Sequence, residues 1–403
     1  MQVEIISDRE RWNRFVESQA TGNITQTWEW AELGAHLGSE ALRLGAVEDG
    51  ELRGALLVIS EKAPVVGQPY LYAPRGPVCD DPASPALAAL LDHTRALAHK
   101  QGAFMLKLEP NVPDGNQAWL DALHRLGLRR NPFATHPRRS WVLDITPDEQ
   151  TLLANMKEKW RYNIRLAGRK GVTVRATLAD EDIATFYTLY RETAERDGIF
   201  IHERRHYDDF LRLYGERDAA TLLMAEYEGQ PIAALIVARC GPVATYMFGA
   251  SSNRERNRMP NHLLQWTAIR WARERGCRFY DFRAIAETLE PGEDMYSLYT
   301  YKQGFGGFSL FTLETHDLVV QPAVYWAYMR ALRMKRRIVR WRQARVARQR
   351  FGAQPATSAK GDSAKGDSAK GDSAKGDSAK KIADGQEKRA PSQGASSSAD
   401  AKE

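Results

Sequence analysis

The chain has 403 residues, 43% of them hydrophobic, and a formal net charge of +6, so it is long enough for two ordinary domains with substantial cores. It has no apolar run of about 18 residues, and the acidic residues among its first ten do not fit a signal peptide, which argues against a membrane-spanning or exported protein. Cys79, Cys240 and Cys277 are odd in number and widely spaced, which argues against a disulfide framework or a zinc site. We expect a cytoplasmic protein, either soluble or peripheral on the inner face of the plasma membrane.

The first part of the chain predicts a β-hairpin at Leu44–Leu57, a strand at Tyr70–Ala73 and a helix at Leu90–Lys100. A strand follows at Phe104–Leu108, and a further helix end lies at His124–Leu128. The hairpin is indicated by two apolar runs around Asp49-Gly50, and the first helix ends just before Gly102. This order of elements mixes helices and strands.

The same landmarks recur about 175 residues later, which indicates two diverged copies of one domain. They are a hairpin at 223–236, a strand at 246–249, a helix at 263–274, a strand at 278–282 and a helix end at 301–305. Each copy reads as an α+β domain, and its order is that of the GNAT acyltransferases. We therefore predict two tandem GNAT-like domains of mixed sheets flanked by helices.

The predicted boundaries place the first domain at residues 1–148 and the second at residues 149–316, with residues 317–330 returning to pack on the first. A basic C-terminal helix extends over residues 317–351. The remainder, residues 352–403, repeats Lys-Gly-Asp-Ser-Ala and lacks large apolar residues apart from Ile382. That composition predicts a disordered tail.

Positive charge is concentrated in two stretches. Residues 157–170 hold six Lys or Arg residues against one acid, and residues 330–350 hold ten and no acid. Such runs are often solvated helix faces, but unbalanced ones favour partners that carry phosphate, such as RNA, a nucleotide-linked substrate or anionic lipid.

Lys302 stands out because it lies between aromatic residues and a glycine-rich exit. Residues 297–303 predict a short helix that ends at Gly304, after a buried strand ending in Tyr-Asp-Phe and a loop at residues 290–294. A lysine at a helix C-terminus complements the helix dipole. In this setting it is also a candidate catalytic cation, whereas Asp281 of the Tyr-Asp-Phe sequence is interpreted as a structural acid at the end of the strand.

A GNAT domain that uses acyl-CoA needs a glycine-rich loop at a helix N-terminus to hold the pyrophosphate. The corresponding segment of the second copy, Arg254–His262, contains no glycine and includes Pro260, which lacks an amide N–H. In the first copy the place is taken by Arg75-Gly76-Pro77-Val78. Acyl-CoA is therefore the less favoured donor.

An ordered set of motifs lies between about residues 20 and 310. The motifs are Thr25-Gln26, Trp30-Ala31, Tyr72 to Val78, Lys107 to Pro110, the basic segment Lys159 to Val172, Tyr280 to Phe282, and Tyr301 to Gly306. Together they resemble the Fem family of aminoacyl-tRNA-dependent peptidyltransferases. The resemblance implies addition of an amino acid from aminoacyl-tRNA to the stem peptide of a peptidoglycan precursor, either lipid-linked or UDP-linked, to form a cross-bridge.

The resemblance also implies roles for particular residues. Lys302 contacts the acyl ester and stabilises its oxyanion, and Tyr301 helps to form the pocket. The attacking amine must also lose a proton, and for this step the residues themselves offer Glu109 as the candidate base, although an acid before a proline is also a common turn residue. Loss of one oxyanion donor typically slows such a reaction by about 10²–10³.

The candidate substrate contacts come from both copies. We predict that Arg75 helps to hold the acceptor, because an arginine binds phosphate or carboxylate with two parallel hydrogen bonds. The other candidates are Arg204, Arg205, Tyr207, Phe248 and Phe305. Ordinary surface charge is an equally good interpretation of Arg204 and Arg205.

Residues 320–351 combine arginines with Trp326 and Trp341. A cationic helix that contains tryptophan is typical of docking on anionic lipid headgroups. Contact with the tRNA backbone and a plain capping helix are the two competing interpretations.

Two other functions stay open from the sequence. One is an acyl-CoA-dependent N-acyltransferase, and the other is a non-catalytic RNA-binding or envelope-binding protein on a duplicated scaffold. We expect no metal and no cofactor, with aminoacyl-tRNA as a co-substrate.

Overall fold

The computed structural model describes residues 1–36, 38–286, 288–290 and 295–351, without the side chains of residues 339, 340 and 342–351. Most of the predicted loop at residues 290–294 and all of the predicted tail at residues 352–403 lie outside the described residues. Within them, two mixed seven-stranded sheets flanked by helices confirm the predicted α+β class.

Strands of the first sheet come mainly from the first part of the chain. They are β1 (Gln2–Ile5), β2 (Glu40–Glu48), β3 (Glu51–Lys62), β4 (Pro69–Ala73), β5 (Met105–Leu108) and β6 (Arg129–Asn131), with β14 (Thr315–Val319) from much later. Their order across the sheet is β1-β2-β3-β4-β5-β14-β6, and β4 and β5 are parallel. The middle of β3 and all four residues of β5 are buried, because helices and loops cover both faces of the sheet.

The second sheet repeats this arrangement. Its strands are β7 (Arg139–Asp144), β8 (Val172–Thr177), β9 (Ala220–Tyr227), β10 (Gln230–Cys240), β11 (Val243–Ser251), β12 (Phe279–Ala284) and β13 (Phe308–Phe311). Read from β8, their order is β8-β9-β10-β11-β12-β7-β13, with β11 and β12 parallel. The two sheets therefore match strand for strand, as the predicted duplication requires.

Eleven α-helices are present in the described part of the chain. They are α1 (Arg9–Ser18), α2 (Trp28–His36), α3 (Pro85–Lys100), α4 (Gln117–Arg125), α5 (Glu149–Asn155), α6 (Glu158–Arg169), α7 (Asp180–Asp197), α8 (Arg204–Gly215), α9 (Pro260–Glu274), α10 (Tyr296–Gln303) and α11 (Pro322–Phe351). Helices α3 and α9 are the equivalent crossover helices between the parallel strands. Helix α10 is the predicted short helix and ends at Gly304 as expected.

Each sheet takes its sixth strand from the other half of the chain. Strand β7 lies within the predicted first domain but pairs with β12 and β13 of the second sheet. Strand β14 overlaps the predicted end of the second domain at residue 316 and takes residues 317–319 out of the predicted basic helix, which begins only at Pro322. It pairs with β5 and β6 of the first sheet. The boundary predicted at residue 148 therefore does not separate the two sheets, because the two copies exchange their final strands.

The compact unit Met1–Arg342 contains both sheets. Beyond β14, the first turns of α11 pack on the first sheet, where Tyr325, Tyr328 and Met329 form an apolar cluster with Phe104 and Met105. The Tyr325 hydroxyl also donates to the buried carboxylate of Asp317, with an O–O distance of 3.0 Å. These contacts fix the start of the basic helix to the domain.

Candidate functional site

A cavity of about 1120 Å³ is lined by segments from both halves of the chain. The second half contributes the end of α7, the centre of β11, the end of β12 and the exposed side of α10. The first half contributes residues 23–25, Arg75, His136 and Pro137. A site of this size has room for an extended peptide or nucleotide end.

Lys302 lies on the wall of this cavity, with only 5% of its surface exposed. Its Nζ donates a hydrogen bond of 2.6 Å to the carbonyl oxygen of Ala284 at the end of β12. Burial lowers the pKa of Lys302 to about 8, because the Asp281 carboxylate only partly offsets desolvation and the Arg283 guanidinium adds to it. The prediction places Lys302 correctly on the last turn of its helix, and its catalytic role stays a prediction.

Glycines after α10 allow the helix end to approach its neighbours closely. A Cβ on Gly304 would lie 2.0 Å from Cε2 of Trp160 on α6, and a Cβ on Gly307 would lie 2.3 Å from a β7 backbone oxygen. Trp160 also donates from its indole nitrogen to the carbonyl oxygen of Tyr301 at 3.0 Å. The glycine-rich exit thus presses the Lys302 turn against α6 and β7.

Arg283 and Asp281 form the end of β12, where the strand is irregular. The pairing with β7 shifts register between Asp281 and Ala284, so two residues oppose one and a β-bulge forms. Arg283 adopts a left-handed conformation with φ of 61°, and its backbone N–H donates to Asp281 Oδ1 at 2.6 Å. Burial raises the pKa of the Asp281 carboxyl despite this bond and the nearby cations. Asp281 thus holds the strand end, as predicted, and also lines the cavity.

Three of the four predicted aromatic site residues, Tyr301, Phe248 and Phe305, differ in their position relative to the cavity. Tyr301 and Phe248 line the cavity, and the Tyr301 hydroxyl donates to the carbonyl oxygen of Asn261 at 3.0 Å. Phe305 is fully buried and packs against Tyr301 and Phe282 at ring distances of 5.4 and 5.3 Å. Phe305 therefore supports the cavity wall from behind and offers no surface to a substrate.

Glu109 lies behind the cavity wall and binds to His136. Its Oε2 lies 2.8 Å from His136 Nδ1 and accepts a 2.6 Å hydrogen bond from the Tyr72 hydroxyl. Burial alone raises the pKa of Glu109, but the bonds from His136, Tyr72 and the Thr135 amide outweigh burial and lower it to about 2. An acid this weakly basic is poorly suited to accept a proton. His136, which does line the cavity, was missed because an isolated histidine among prolines and arginines gives no pattern.

Arg75 reaches the cavity from the first half of the chain. It has a left-handed backbone conformation, with φ of 53°. Its guanidinium donates to Thr312 Oγ1 at 2.8 Å and to the carbonyl oxygen of Pro137 at 2.6 Å. These bonds hold the guanidinium at the cavity wall.

Arg204, Arg205 and Tyr207 do not line the cavity in the described structure. The two arginines are exposed on α8 and form ion pairs with Asp208 and Asp209 one turn later. Tyr207 is fully buried in the core, and its hydroxyl accepts a 3.0 Å hydrogen bond from the His202 amide. Because Tyr207 is buried and both arginines pair with acids of their own helix, none of the three is placed to contact a substrate in this cavity.

The segment before α9 differs from a pyrophosphate cradle. Glu255 and Met259 have positive φ values, and a short 3-10 helix at Arg256–Arg258 lies between them. Lys170 Nζ donates to the Asn257 carbonyl oxygen at 3.0 Å, and Arg258 donates back to the Lys170 carbonyl oxygen at 2.9 Å. A backbone carbonyl bound to a lysine is not an amide directed at phosphate.

The described residues contain neither a cluster suited to a metal ion nor a helix suited to a bilayer. No group of three His, Cys, Asp or Glu side chains is arranged to hold a metal ion. Among the helices of the same residues, none combines the length and apolar character needed to cross a bilayer.

The family model that matches this sequence is that of the FemAB family, over residues 7–229 and 223–333. The chain belongs to the FemAB family. This membership confirms the predicted relationship and the prediction of a transferase enzyme. A lipid II:glycine glycyltransferase of Staphylococcus aureus strain MRSA252 is 26% identical over 385 residues, covering 77% of this chain and 91% of that protein.

Two solved structures share the fold. The crystal structure of FemX superposes with a TM-score of 0.77 at 23% identity, covering 82% of this chain and all of FemX. L-PGS of Bacillus licheniformis gives a TM-score of 0.51 at 14% identity, covering 80% of this chain and 96% of that one. At such identities the likeness concerns the fold.

Proposed function

We propose that this protein transfers an amino acid from aminoacyl-tRNA to an amine on the stem peptide of a lipid-linked peptidoglycan precursor. The buried Lys302 on the wall of the cavity, in a member of the FemAB family, is the observation that carries the proposal. The name of the S. aureus relative, which refers to lipid II, supports a lipid-linked over a UDP-linked acceptor. Aminoacyl-tRNA serves as co-substrate, without a metal or other cofactor.

In the proposed reaction the acceptor amine attacks the ester carbonyl that joins the amino acid to the tRNA ribose. The new C–N bond forms as the carbonyl oxygen becomes an oxyanion, and collapse breaks the ester bond and releases the ribose hydroxyl. Lys302 has three N–H donors and uses one on Ala284. Another donor stabilises the oxyanion, and this interaction is strong because the site is shielded from water.

The proton of the attacking amine needs a base, because an alkyl ammonium has an unperturbed pKa of about 10.4. We assign this role to His136, with Glu109 as its positioning residue. The Glu109 carboxylate accepts from Nδ1 at 2.8 Å, which leaves Nε2 as the unprotonated nitrogen of the neutral ring. The proton removed from the amine then passes to the departing ribose oxygen.

The basic face of α6 is suited to the tRNA backbone. Lys159, Arg165 and Arg169 are exposed on this helix, and Lys157 is exposed at its N-cap. The same helix contacts the Lys302 turn through Trp160, so phosphates bound there lie on a structure that adjoins the cavity. Lys and Arg contacts of this kind supply most of the affinity for nucleic acid and make binding sensitive to salt.

A lipid-linked acceptor also requires contact with a membrane surface, and α11 supplies a suitable face. Trp326, Met334, Ile338 and Trp341 are each about half exposed and are spaced to lie on one side of the helix. Residues 322–351 include ten Lys or Arg residues and no acid. We propose that this face rests on anionic headgroups at the inner face of the membrane.

A transfer assay with the full chain tests the proposed function. Radiolabelled amino acid on tRNA is supplied with lipid-linked precursor in vesicles, and a parallel reaction contains UDP-linked precursor. We expect label in the precursor, preferentially the lipid-linked form, and loss of transfer in Lys302→Ala. Absence of transfer from any charged tRNA, together with acetyl transfer from acetyl-CoA, would show the protein to be an acyl-CoA enzyme instead.

A further inference from the structure

Arg283 has an unusual position on the cavity wall. It occupies the β-bulge at the end of β12 and has a φ of 61°, a conformation that costs free energy in a residue with a Cβ. A bulge next to a site redirects a side chain that a regular strand would turn elsewhere. The strained backbone therefore indicates that the direction of the Arg283 guanidinium serves a function.

The guanidinium has more donors than its neighbours satisfy. Among the described residues its hydrogen bonds involve Nη1 alone, which is 3.4 Å from the Met247 carbonyl oxygen and 3.8 Å from its Sδ. Both are weak contacts, whereas a guanidinium carries five N–H donors in a planar fork. The remaining donors are available to a ligand, because Arg283 lines the cavity.

The charges around Arg283 leave an excess of positive charge. Arg75 and Lys302 line the same cavity, and Asp281 is the acid that interacts with all three cations. One carboxylate oxygen of Asp281 also accepts a hydrogen bond from the Arg283 backbone amide. One carboxylate cannot balance three cations in a partly buried site, which favours an anionic ligand.

The equivalent position in the first copy carries the opposite charges, and its charged groups are already hydrogen-bonded within the protein. Lys107 and Glu109 correspond to Asp281 and Arg283 in the duplicated order of strands. Lys107 Nζ donates to the Phe133 carbonyl oxygen at 2.7 Å and to a threonine hydroxyl, and Glu109 accepts several hydrogen bonds. The first copy thus satisfies its charged pair internally, whereas the second copy leaves Arg283 available.

We propose that Arg283, with Arg75 beside it, binds a carboxylate of the acceptor peptide. The inference rests on the proposed function, because it names the part of the acceptor that this site recognises. Lys302 is hydrogen-bonded to the residue next to Arg283, so a ligand of Arg283 lies close to the reacting carbonyl. A stem peptide has its own carboxylates near its amine, whereas the diphosphate of a lipid-linked precursor lies at the far end, beyond the sugar.

The test compares two acceptors, one with free peptide carboxylates and one in which they are amidated. With the wild-type protein we expect the KM for the acceptor to rise about 10- to 100-fold on amidation, since charged hydrogen bonds of this kind have that effect. Arg283→Gln should raise the KM for the free-carboxylate acceptor by a similar factor and abolish the difference between the acceptors. The KM for aminoacyl-tRNA should stay unchanged.

Arg278→Gln is the matched control, because Arg278 precedes β12, is exposed and does not line the cavity. Arg283→Lys keeps the charge without the planar fork and should recover part of the affinity; it also replaces Arg283→Gln if that variant does not fold. An unchanged acceptor KM in the Arg283 variants would overturn the inference. So would a KM increase that follows removal of the diphosphate rather than amidation. Absence of transfer by the wild-type protein would instead refute the proposed function.

Discussion

Lys302 is held in a balance between burial, which favours its neutral form, and a nearby acid, which favours its charged form. The Asp281 carboxylate favours the ammonium, while desolvation and Arg283 oppose it. A pKa near 8 means that the Lys302 side chain is mainly a cation at neutral pH but loses its proton at a pH that an ordinary assay can reach. The charge on which the proposed chemistry depends is therefore adjustable by its neighbours.

This balance predicts the pH dependence of transfer. The Lys302 ammonium is present below pH 8 and absent well above it, so kcat/KM for transfer should fall as pH rises through about 8. Lys302→Arg should move the fall to higher pH, because a guanidinium keeps its proton, and Lys302→Ala should lower kcat by about 10²–10³. Steady-state rates between pH 6 and 10 measure this, with the exposed Lys100→Ala as control. A wild-type profile that stays flat to pH 10 would contradict the assignment.

For His136 the proposed role as general base predicts a loss of rate that added imidazole can partly restore. His136→Ala should lower kcat by about 10² or more, the usual contribution of a general base, and added imidazole should restore part of the rate. Glu109→Gln should have a smaller effect, because the ring keeps a hydrogen-bond partner. The transfer rate is measured with and without imidazole. His93→Ala, which changes an exposed histidine, should leave the transfer rate unchanged. A rate loss without imidazole rescue would assign His136 a structural role.

At the scale of residues, the sequence identified side chains embedded in motifs and missed isolated ones. Lys302 and Tyr301 were found because aromatic residues and glycines surround them. Arg283 directly follows the strand predicted at residues 278–282 but was not singled out, since nothing in the sequence signals a bulge with a left-handed residue. Tyr207 was placed in the site wrongly, because an aromatic residue next to two arginines looks the same whether it faces substrate or core.

At the scale of elements, the contact between α6 and α10 determines where the Lys302 turn lies. Trp160 of α6 packs against Gly304 and donates to the Tyr301 carbonyl oxygen. The Lys157 amide also donates to the Gly304 carbonyl oxygen at 2.9 Å. The two helices therefore join the predicted tRNA surface directly to the predicted catalytic lysine.

Gly304→Ala should disturb this contact. Its Cβ would fall 2.0 Å from the Trp160 ring, and overpacking of this kind costs about 1–3 kcal/mol. We expect a lower free energy of unfolding in urea and reduced transfer. Gly168→Ala is the matched control, since its Cβ meets nothing within 4 Å on α6 and alanine favours a helix by about 0.5–1 kcal/mol. Equal stability of the two variants would show that the Gly304 contact is not tight.

At the scale of the whole molecule, α11 combines attachment to the first sheet with exposed basic residues. Its inner face is tied to the first sheet by Tyr325, Tyr328 and Met329. Its outer face carries Trp326, Met334 and Ile338, which are each about half exposed. A helix fixed at one face and open at the other is suited to peripheral binding.

Vesicle sedimentation of the full chain tests this surface. Binding to vesicles with anionic lipid should be strong at low salt, weak at high salt and absent with neutral lipid. Arg330→Glu together with Arg337→Glu should reduce binding well over 10-fold, at about 1 kcal/mol for each charge removed. Arg165→Glu on α6 should leave vesicle binding unchanged. Binding that tRNA competes away, without any dependence on anionic lipid, would make α11 an RNA contact.

The order of elements was predictable because the duplication repeats recognisable hairpins, crossover helices and strands. A return of residues 317–330 to the first domain was predicted, but neither the pairing of β14 between β5 and β6 nor the place of β7 in the second sheet was, since the pairing partners are distant in the sequence and the apolar pattern fits either sheet. Register and sheet membership depend on long-range pairing that local patterns do not encode. For the same reason the cavity, which takes its walls from both halves, was visible only as separate motifs.

The reciprocal strand exchange has a consequence for synthesis of the protein on the ribosome. Strands β5 and β6 are made early, but β14, which pairs between them, is made about two hundred residues later. At about 5–20 residues per second, the first sheet stays open for roughly ten seconds or longer. A fragment that ends at residue 148 would lack β14 and leave β7 without its sheet. The two halves are therefore expected to fold as one cooperative unit, and to regain structure as separate fragments only when mixed.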